Sequence, residues 1–140
     1  MKRRRGFETA LEEAGHTLVG SLTTDRPSSV EAGRLLTRQF LAEHPDVDCI
    51  YYSNDDIAVG GLFHCQDAGI DVPRQVLLAG FNGLDLVKAL PGRVATTFTP
   101  RREIGLRAAR MVLEAVDRKS QRTDASIELP TRIDLGLAGT

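Results

Sequence analysis

The segment from residue 51 to residue 83 reads YYSNDDIAVGGLFHCQDAGIDVPRQVLLAGFNG, and it decides the fold. Cys49–Tyr52 is a short apolar run of the length that a buried strand needs, and Val76–Ala79 is a second one. Between these runs, a helix-start signal at Asn54 leads into apolar and small residues at helical spacing. Since two buried strands joined by one helix normally pair in parallel, the segment predicts a β-α-β unit.

A polar residue follows each of these two strands. Asn54 comes after the first strand and Asn82 after the second. The carboxyl ends of parallel strands meet at one edge of a sheet, and ligands bind at that edge in open α/β folds. An asparagine offers both a donor and an acceptor, which suits hydroxyl groups. A plain helix cap at Asn54 and a plain turn residue at Asn82 explain the same sequence equally well.

The rest of the chain alternates between helical and extended patterns. Helical spacing or start signals predict a first helix around Phe7–Ala14, a second one capped by Ser28 with Glu31, a short one at Leu84–Leu90, and a long one that opens at Pro100. Extended patterns predict strands at Thr17–Ser21, Val94–Phe98, Ser126–Leu129 and Ile133–Leu135. Residues 118–125 resemble a linker.

This alternation predicts an α/β fold, a parallel-sheet three-layer sandwich with helices on both faces. One feature departs from the pattern, because no strand precedes the first helix. The Thr17–Ser21 and Cys49–Tyr52 strands would then have unpaired backbone groups facing a gap, and an open apolar edge invites pairing with another chain. We expect the chain to be unstable or self-associating on its own, with the long helix displaced or docked on a neighbour.

Composition excludes several classes of protein. The chain has 140 residues and a formal net charge of −1, which predicts one domain without a global attraction for nucleic acid. The sequence has no signal peptide, no membrane span, no phosphate-binding loop and no nucleophile elbow. The histidines and the two cysteines lack metal-ligand spacing, so neither a metal nor a cofactor is expected. Cys49 and Cys65 are predicted to be buried, which weakly indicates a reducing compartment, and we expect the protein in the cytoplasm.

Several motifs in combination resemble the lactose-repressor (LacI/GalR) family of bacterial transcription regulators, most closely its gluconate-repressor branch. The family pattern is Asn-Asp-x-x-Ala-x-Gly, then Gly-x-x-Val-Pro, then a strand that ends in Gly-Phe/Tyr-Asp. This chain matches it in three places, with Asn54-Asp55 through Gly60, Gly69 through Pro73, and Gly80-Phe81-Asn82. The match extends to Ala95-Thr96-Thr97, to Pro100 and Ile104-Gly105, and to Arg3-x-x-Gly6-Phe7.

The resemblance implies a periplasmic-binding-protein-like fold, with a small-molecule effector between two subdomains. It also implies a homodimer whose helix-turn-helix binds operator DNA, and no such segment is present in this sequence. The chain corresponds to the C-terminal part of the effector domain. Residues 1–92 and 126–140 would form the C-terminal subdomain, and residues 93–125 would pack on the N-terminal subdomain. The strand that precedes the first helix in the family is missing from the chain.

By position, the resemblance assigns the effector site to Arg3, Asn54 and Asn82, together with Ser29 or Ser28. Asn82 stands where the family commonly has an aspartate that accepts sugar hydroxyls. Because an amide does not repel an anion and Arg3 can pair with a carboxylate, the site suits a sugar acid, gluconate-like, better than a neutral sugar. Such a protein is a non-enzymatic effector sensor that acts on transcription as a repressor.

Three other readings remain open on the sequence. A phosphoacceptor receiver domain has the same α/β alternation, but the lysine that it needs at a later strand end is absent here. A small enzyme could use Asp55 or Asp56 as a general base, although a favourable interaction with the helix dipole also explains both carboxylates. A sugar-binding protein without a regulatory role would have the same fold, and a secreted one would need a signal peptide.

Overall fold

The computed structural model of the chain describes residues 2–90, 94–117 and 126–136. The helices in these ranges are Lys2–Glu13 (α1), Val30–Glu43 (α2), Asp55–Asp67 (α3), Asp85–Ala89 (α4) and Arg101–Asp117 (α5). The strands are Cys49–Tyr51 (β1), Leu77–Ala79 (β2), Thr96–Phe98 (β3) and Arg132–Asp134 (β4). The predicted linker at residues 118–125 lies outside the described residues.

The strands follow one another across the sheet in the order β1, β2, β3, β4. β1 pairs in parallel with β2, so the predicted β-α-β unit is confirmed. Parallel bridges from Ala79 to Ala95 and from Asn82 to Phe98 join β2 to β3, and β4 pairs antiparallel with β3. The sheet is therefore parallel except at the β4 edge, where the chain returns.

Helices cover both faces of β1, as a three-layer arrangement requires. The Tyr52 hydroxyl, just after β1, lies 2.8 Å from Thr37 Oγ1 of α2, which places Tyr52 on the face covered by α2 and α3. Successive side chains of an extended segment point to opposite faces, so Tyr51 points the other way. There it stacks on Phe7 of α1, with 4.7 Å between the ring centroids. The predicted three-layer α/β sandwich is confirmed.

Glycines let α2 and α3 pack with their backbones in contact. A Cβ added to Gly33 would overlap the carbonyl of Ile57, and one added to Gly60 would overlap the carbonyl of Val30. At Gly61 an added Cβ would overlap the Tyr52 ring. As a result α3 is buried on almost every side, and Ala58, Val59 and Leu62 lie in the core at 1% exposure or less.

Local signals place the ends of several elements correctly. Asn54 caps α3, as predicted, because its side-chain oxygen accepts the N–H of Ile57 at 3.1 Å. Gly15 and Gly69 follow α1 and α3 with φ values of +77° and +69°, the left-handed conformation that glycine adopts without a steric penalty. The cap of α2 differs from the prediction, since Ser29 rather than Ser28 accepts the N–H of Ala32.

Four other predictions are wrong. Thr17–Ser21 and Ser126–Leu129 contain no strand, and Cys49 is exposed. The buried face of α2 consists of Ala32, Gly33 and Thr37, with the predicted Leu35, Leu36 and Phe40 only half-buried. A strand exists only where another backbone pairs with it, and in the described part of the chain β1 pairs with β2 alone.

The apolar stripe of α5 lies open. Val112, Leu113 and Val116 are each more than 60% exposed, and Ile104 is 46% exposed. The strand before this helix belongs to the sheet, since Gly80 donates its N–H to the carbonyl of Ala95 at 2.7 Å. The assignment of residues 93–125 to packing on another subdomain stays a prediction.

Candidate functional site

The candidate site lies at the carboxyl ends of β1 and β2, where the chain turns into α3 and into the 80–84 loop. Tyr52 continues the pairing beyond β1 by donating its N–H to the carbonyl of Ala79 at 2.7 Å. Asp55 then donates its N–H to the carbonyl of Phe81 at 3.0 Å. This contact ties the first turn of α3 to the loop, so Asn54 and Asn82 lie at the same edge of the sheet, as the sequence predicted.

Asn82 has an unusual backbone conformation. Its φ is +112°, and within the described ranges it is the only residue other than glycine that has a positive φ. Its N–H donates to the carbonyl of Thr97 at 3.0 Å, so the sheet holds this conformation in place. A non-glycine residue in such a region costs of order 1–3 kcal/mol and persists where its surroundings determine it. Because the sheet fixes the backbone at this position, the Asn82 side chain starts from a defined point at the edge that also carries Asn54.

Arg3 reaches this edge from the first turn of α1. Its Nη1 donates to the carbonyl of Ser53 at 2.8 Å, and its guanidinium carbon lies 4.2 Å from the centre of the Phe81 ring. Arg3 therefore contacts the residues that immediately precede Asn54 and Asn82. Three of the four predicted site residues meet at one place, although they are far apart in the sequence.

Ser29 does not share these contacts. Its hydroxyl caps α2 through the N–H of Ala32, and within the described ranges it has no hydrogen bond to Arg3, Asn54 or Asn82. Ser28 is exposed in the loop before α2. The observed role of Ser29 is thus to satisfy a backbone donor at a helix start, and its assignment to the effector site stays a prediction.

Asp55 is the central structural residue of the site, and sequence reasoning missed this role. The residue is fully buried. Its Oδ1 accepts the Thr96 hydroxyl at 2.7 Å and its Oδ2 accepts the N–H of Leu84 at 2.7 Å. The Thr96 hydroxyl in turn accepts the N–H of Gly83 at 3.2 Å. Because both carboxylate oxygens have donors, Asp55 is a clamp on the 80–84 loop, and this environment argues against a role as general base.

Beneath the site, a buried pair of hydroxyl groups supports the end of β1. Thr37 donates to the carbonyl of Gly33 at 2.7 Å, which leaves its oxygen free to accept the Tyr52 hydroxyl at 2.8 Å. Burial raises the pKa of Tyr52, and the hydrogen bond with Thr37 opposes that rise. Tyr52 is therefore a neutral structural donor at physiological pH.

A concave surface lies elsewhere, between α2 and the loop that precedes it. It is open to solvent and is lined by Leu35, Leu36, Arg38 and the loop residues Thr23 and Arg26, among others. None of the four predicted site residues belongs to it. Within the described ranges, no group of three histidine, cysteine or acidic side chains is placed to hold a metal ion. In the same ranges, no helix is long and apolar enough to cross a membrane.

Comparison with known proteins defines the class. The sequence profile of the periplasmic binding protein-like domain matches residues 1–136. The chain belongs to this family, in agreement with its fold. The predicted fold is confirmed at the level of the family.

The relatives in this family are transcriptional regulators. The chain is 34% identical over 134 residues to the HTH-type transcriptional regulator GntR of Escherichia coli strain K12, a match that covers 96% of the chain and 38% of the relative. It is 40% identical over 124 residues to GntR of Pseudomonas aeruginosa, covering 88% of the chain and 36% of the relative. The chain thus spans less than half the length of these curated relatives.

Solved structures agree with this placement. The transcription regulator GntR from Chromobacterium violaceum superimposes with a TM-score of 0.87 at 35% identity, over 96% of the chain and 50% of that structure. A LacI family regulator from Silicibacter pomeroyi gives a TM-score of 0.84 at 36% identity, over 96% of the chain and 40% of that structure. The resemblance to the LacI/GalR family is therefore confirmed, and the relatives named here are regulators rather than enzymes.

Proposed function

We propose that the chain is the effector-binding part of a LacI-family transcriptional repressor, and that its effector is a sugar acid, gluconate-like. The observation that carries the proposal is the position of Arg3, whose guanidinium contacts the residues just before Asn54 and Asn82. The guanidinium of Arg3 and the side-chain amides of Asn54 and Asn82 thus lie at the same edge of the sheet. A related LacI family regulator from Arthrobacter, 26% identical with a TM-score of 0.78, was solved in complex with lactose.

The chemistry of the three side chains favours an acid over a neutral sugar. A guanidinium binds a carboxylate through two parallel hydrogen bonds, which are stronger than bonds between neutral groups. The amides of Asn54 and Asn82 match hydroxyl groups, because each offers a donor and an acceptor. An uncharged Asn82 leaves the positive charge of Arg3 uncompensated at the ligand, whereas an aspartate there would repel a carboxylate.

Isothermal titration calorimetry on the complete regulator tests the ligand class. Gluconate should bind more tightly than glucitol, which has the same six-carbon chain without a carboxylate. Replacing Asn82 by aspartate should reduce this preference or reverse it. The proposal of a sugar acid is wrong if the two ligands bind equally, or if the substitution leaves their ratio unchanged.

Asn54 needs a control, because it also caps α3. Asn54→Ala removes both the ligand partner and the cap, and loss of a cap alone costs about 0.5–2 kcal/mol of stability. Asn54→Ser keeps a capping oxygen and removes the amide. We expect Asn54→Ser to melt near the unsubstituted protein and to bind gluconate about 1–3 kcal/mol more weakly, the cost of a lost polar partner. Unchanged affinity in a stable Asn54→Ser variant would remove Asn54 from the site.

The regulatory part of the proposal concerns the complete regulator. A helix-turn-helix carried by the complete protein would bind operator DNA as a dimer, and the effector would change that affinity. The present chain by itself should give no sequence-specific retention in a gel shift at physiological salt. Specific retention by this chain, or operator binding by the complete regulator that gluconate does not alter, would contradict this part.

A further inference from the structure

Arg3 is a surface cation in an unfavourable position. It lies in the first turn of α1, where the positive end of the helix dipole disfavours a cation. A long exposed arginine normally keeps much of its rotational freedom. Here two contacts restrain the group, a hydrogen bond to the carbonyl of Ser53 and a close approach of the guanidinium carbon to the ring of Phe81.

The two contacts leave the binding capacity of the guanidinium largely intact. Arginine has five N–H donors in one plane, and a carboxylate uses two of them. The Ser53 carbonyl accepts from Nη1, and the guanidinium carbon lies over the Phe81 ring. The two contacts thus restrain the position of the guanidinium, and its other N–H donors can still serve a ligand. A side chain fixed before binding loses less entropy when the ligand arrives.

Phe81 is itself held firmly. Its carbonyl accepts the N–H of Asp55 at 3.0 Å, and its neighbours Gly80 and Asn82 donate their N–H groups to the carbonyls of Ala95, just before β3, and of Thr97 in β3. The Asp55 clamp secures the far side of the same loop. The ring is half-buried, so it is available to the Arg3 guanidinium without being part of the core.

We propose that Phe81 is a positioning residue, which orients the Arg3 guanidinium to receive the carboxylate of an acidic ligand. The inference rests on the proposed function and deepens it, because it assigns acid specificity to a pair of residues rather than to the arginine alone. The contribution of Phe81 acts through Arg3. Loss of the ring therefore weakens binding of a carboxylate and leaves the hydroxyl contacts of the two asparagines in place.

The test compares Phe81→Leu with Phe81→Tyr, which keeps an aromatic face. Calorimetry of the complete regulator with gluconate should show a roughly 2- to 30-fold loss of affinity for Phe81→Leu, the range expected for a cation–π contact. Phe81→Tyr should stay within about twofold of the unsubstituted protein. Glucitol affinity should not change in either variant, and a thermal melt of each should match that of the unsubstituted protein.

A double-mutant cycle separates positioning from direct contact. In an Arg3→Met background, Phe81→Leu should have no further effect on gluconate affinity. An equal loss in both backgrounds, or an equal loss for gluconate and glucitol, would overturn the proposal, since Phe81 would then act on the ligand or on the whole loop. No loss in either background would overturn it as well.

A ligand-free measurement distinguishes failure of this inference from failure of the proposed function. The guanidinium NMR signals of Arg3 should carry a ring-current shift that Phe81→Leu abolishes and Phe81→Tyr retains. If this shift is absent, the Arg3–Phe81 contact does not exist in solution and the positioning role is wrong, whatever the ligand. If the shift is present and the complete, unsubstituted regulator binds no sugar acid, the proposed function is wrong. The role of Phe81 in recognising an acid is then wrong as well, although the Arg3–Phe81 contact exists.

Discussion

Replacing Thr96 by valine should destabilise the protein far more than the loss of one hydroxyl suggests. The Thr96 side chain is 3% exposed, donates to Asp55 Oδ1 at 2.7 Å and accepts the N–H of Gly83 at 3.2 Å. Valine has nearly the same shape and makes neither bond. One buried carboxylate oxygen and one buried N–H would both lose their partners.

The size of the effect follows from these two bonds. A hydrogen bond to a charged group contributes about 1.5–3 kcal/mol, and an unsatisfied buried donor costs about 1–3 kcal/mol. Together they predict a loss of about 2.5–6 kcal/mol, against a total stability of about 5–15 kcal/mol for a typical domain. In urea denaturation with a slope of about 2 kcal/mol per M, the midpoint should fall by about 2 M.

Two further variants make the measurement decisive. Thr96→Ser keeps the hydroxyl and should lose only about 1 kcal/mol, for the deleted methyl group. Thr97→Val changes the next residue of β3, whose hydroxyl has no hydrogen bond within the described ranges, and should stay within about 0.5 kcal/mol of the unsubstituted protein. If Thr96→Val is no less stable than Thr97→Val, the Asp55 clamp does not hold the 80–84 loop and the reasoning is refuted.

Three other outcomes follow from the structure. Gly60→Ala should destabilise the protein by at least about 1–3 kcal/mol in urea denaturation, because the added methyl group overlaps the backbone of α2. In Gly105→Ala of α5 the added methyl group meets no atom within 4 Å, so this variant should be as stable as the unsubstituted protein or more stable by up to about 1 kcal/mol. Burial and two arginines of α2 lower the pKa of His64, so the stability that the neutral imidazole contributes is present above about pH 6.5 and is lost as the pH falls through the folded pKa. His64→Gln should therefore make the melting temperature less dependent on pH between pH 7 and pH 5. An unchanged pH dependence of the melting temperature would contradict this. Cys65 is fully buried and burial raises the pKa of its thiol to about 11, so a thiol reagent should label the exposed Cys49 first and reach Cys65 only on unfolding, as peptide mass mapping would show.

Much of the architecture could be predicted because its signals are local. Asn54 accepts a backbone N–H three residues away, and Gly69 adopts the left-handed conformation without a steric penalty. Both ends of α3 are therefore determined by residues next to them in the sequence. The apolar runs of β1 and β2 and the helical spacing between them fix the β-α-β unit in the same way. The edge that carries Asn54 and Asn82 follows from that unit without further information.

The failed predictions concern properties that depend on distant parts of the chain. Thr17–Ser21 has a strand-like composition, but composition does not supply a neighbouring backbone to pair with. Cys49 lies in a strand, yet its burial depends on what covers that face. Ser28 and Ser29 are both able to cap α2, and only the path of the chain into the helix selects Ser29.

The sequence by itself determined the central β-α-β unit, the family and the edge of the sheet where polar groups gather. Tertiary structure alone decided how those groups are held. Asp55 and Thr96 are 41 positions apart and Arg3 and Ser53 are 50 positions apart, and no periodicity or spacing links such pairs. A buried carboxylate needs donors and a surface guanidinium needs fixed neighbours, and folding supplies both by bringing β3 and α1 to the ends of β1 and β2.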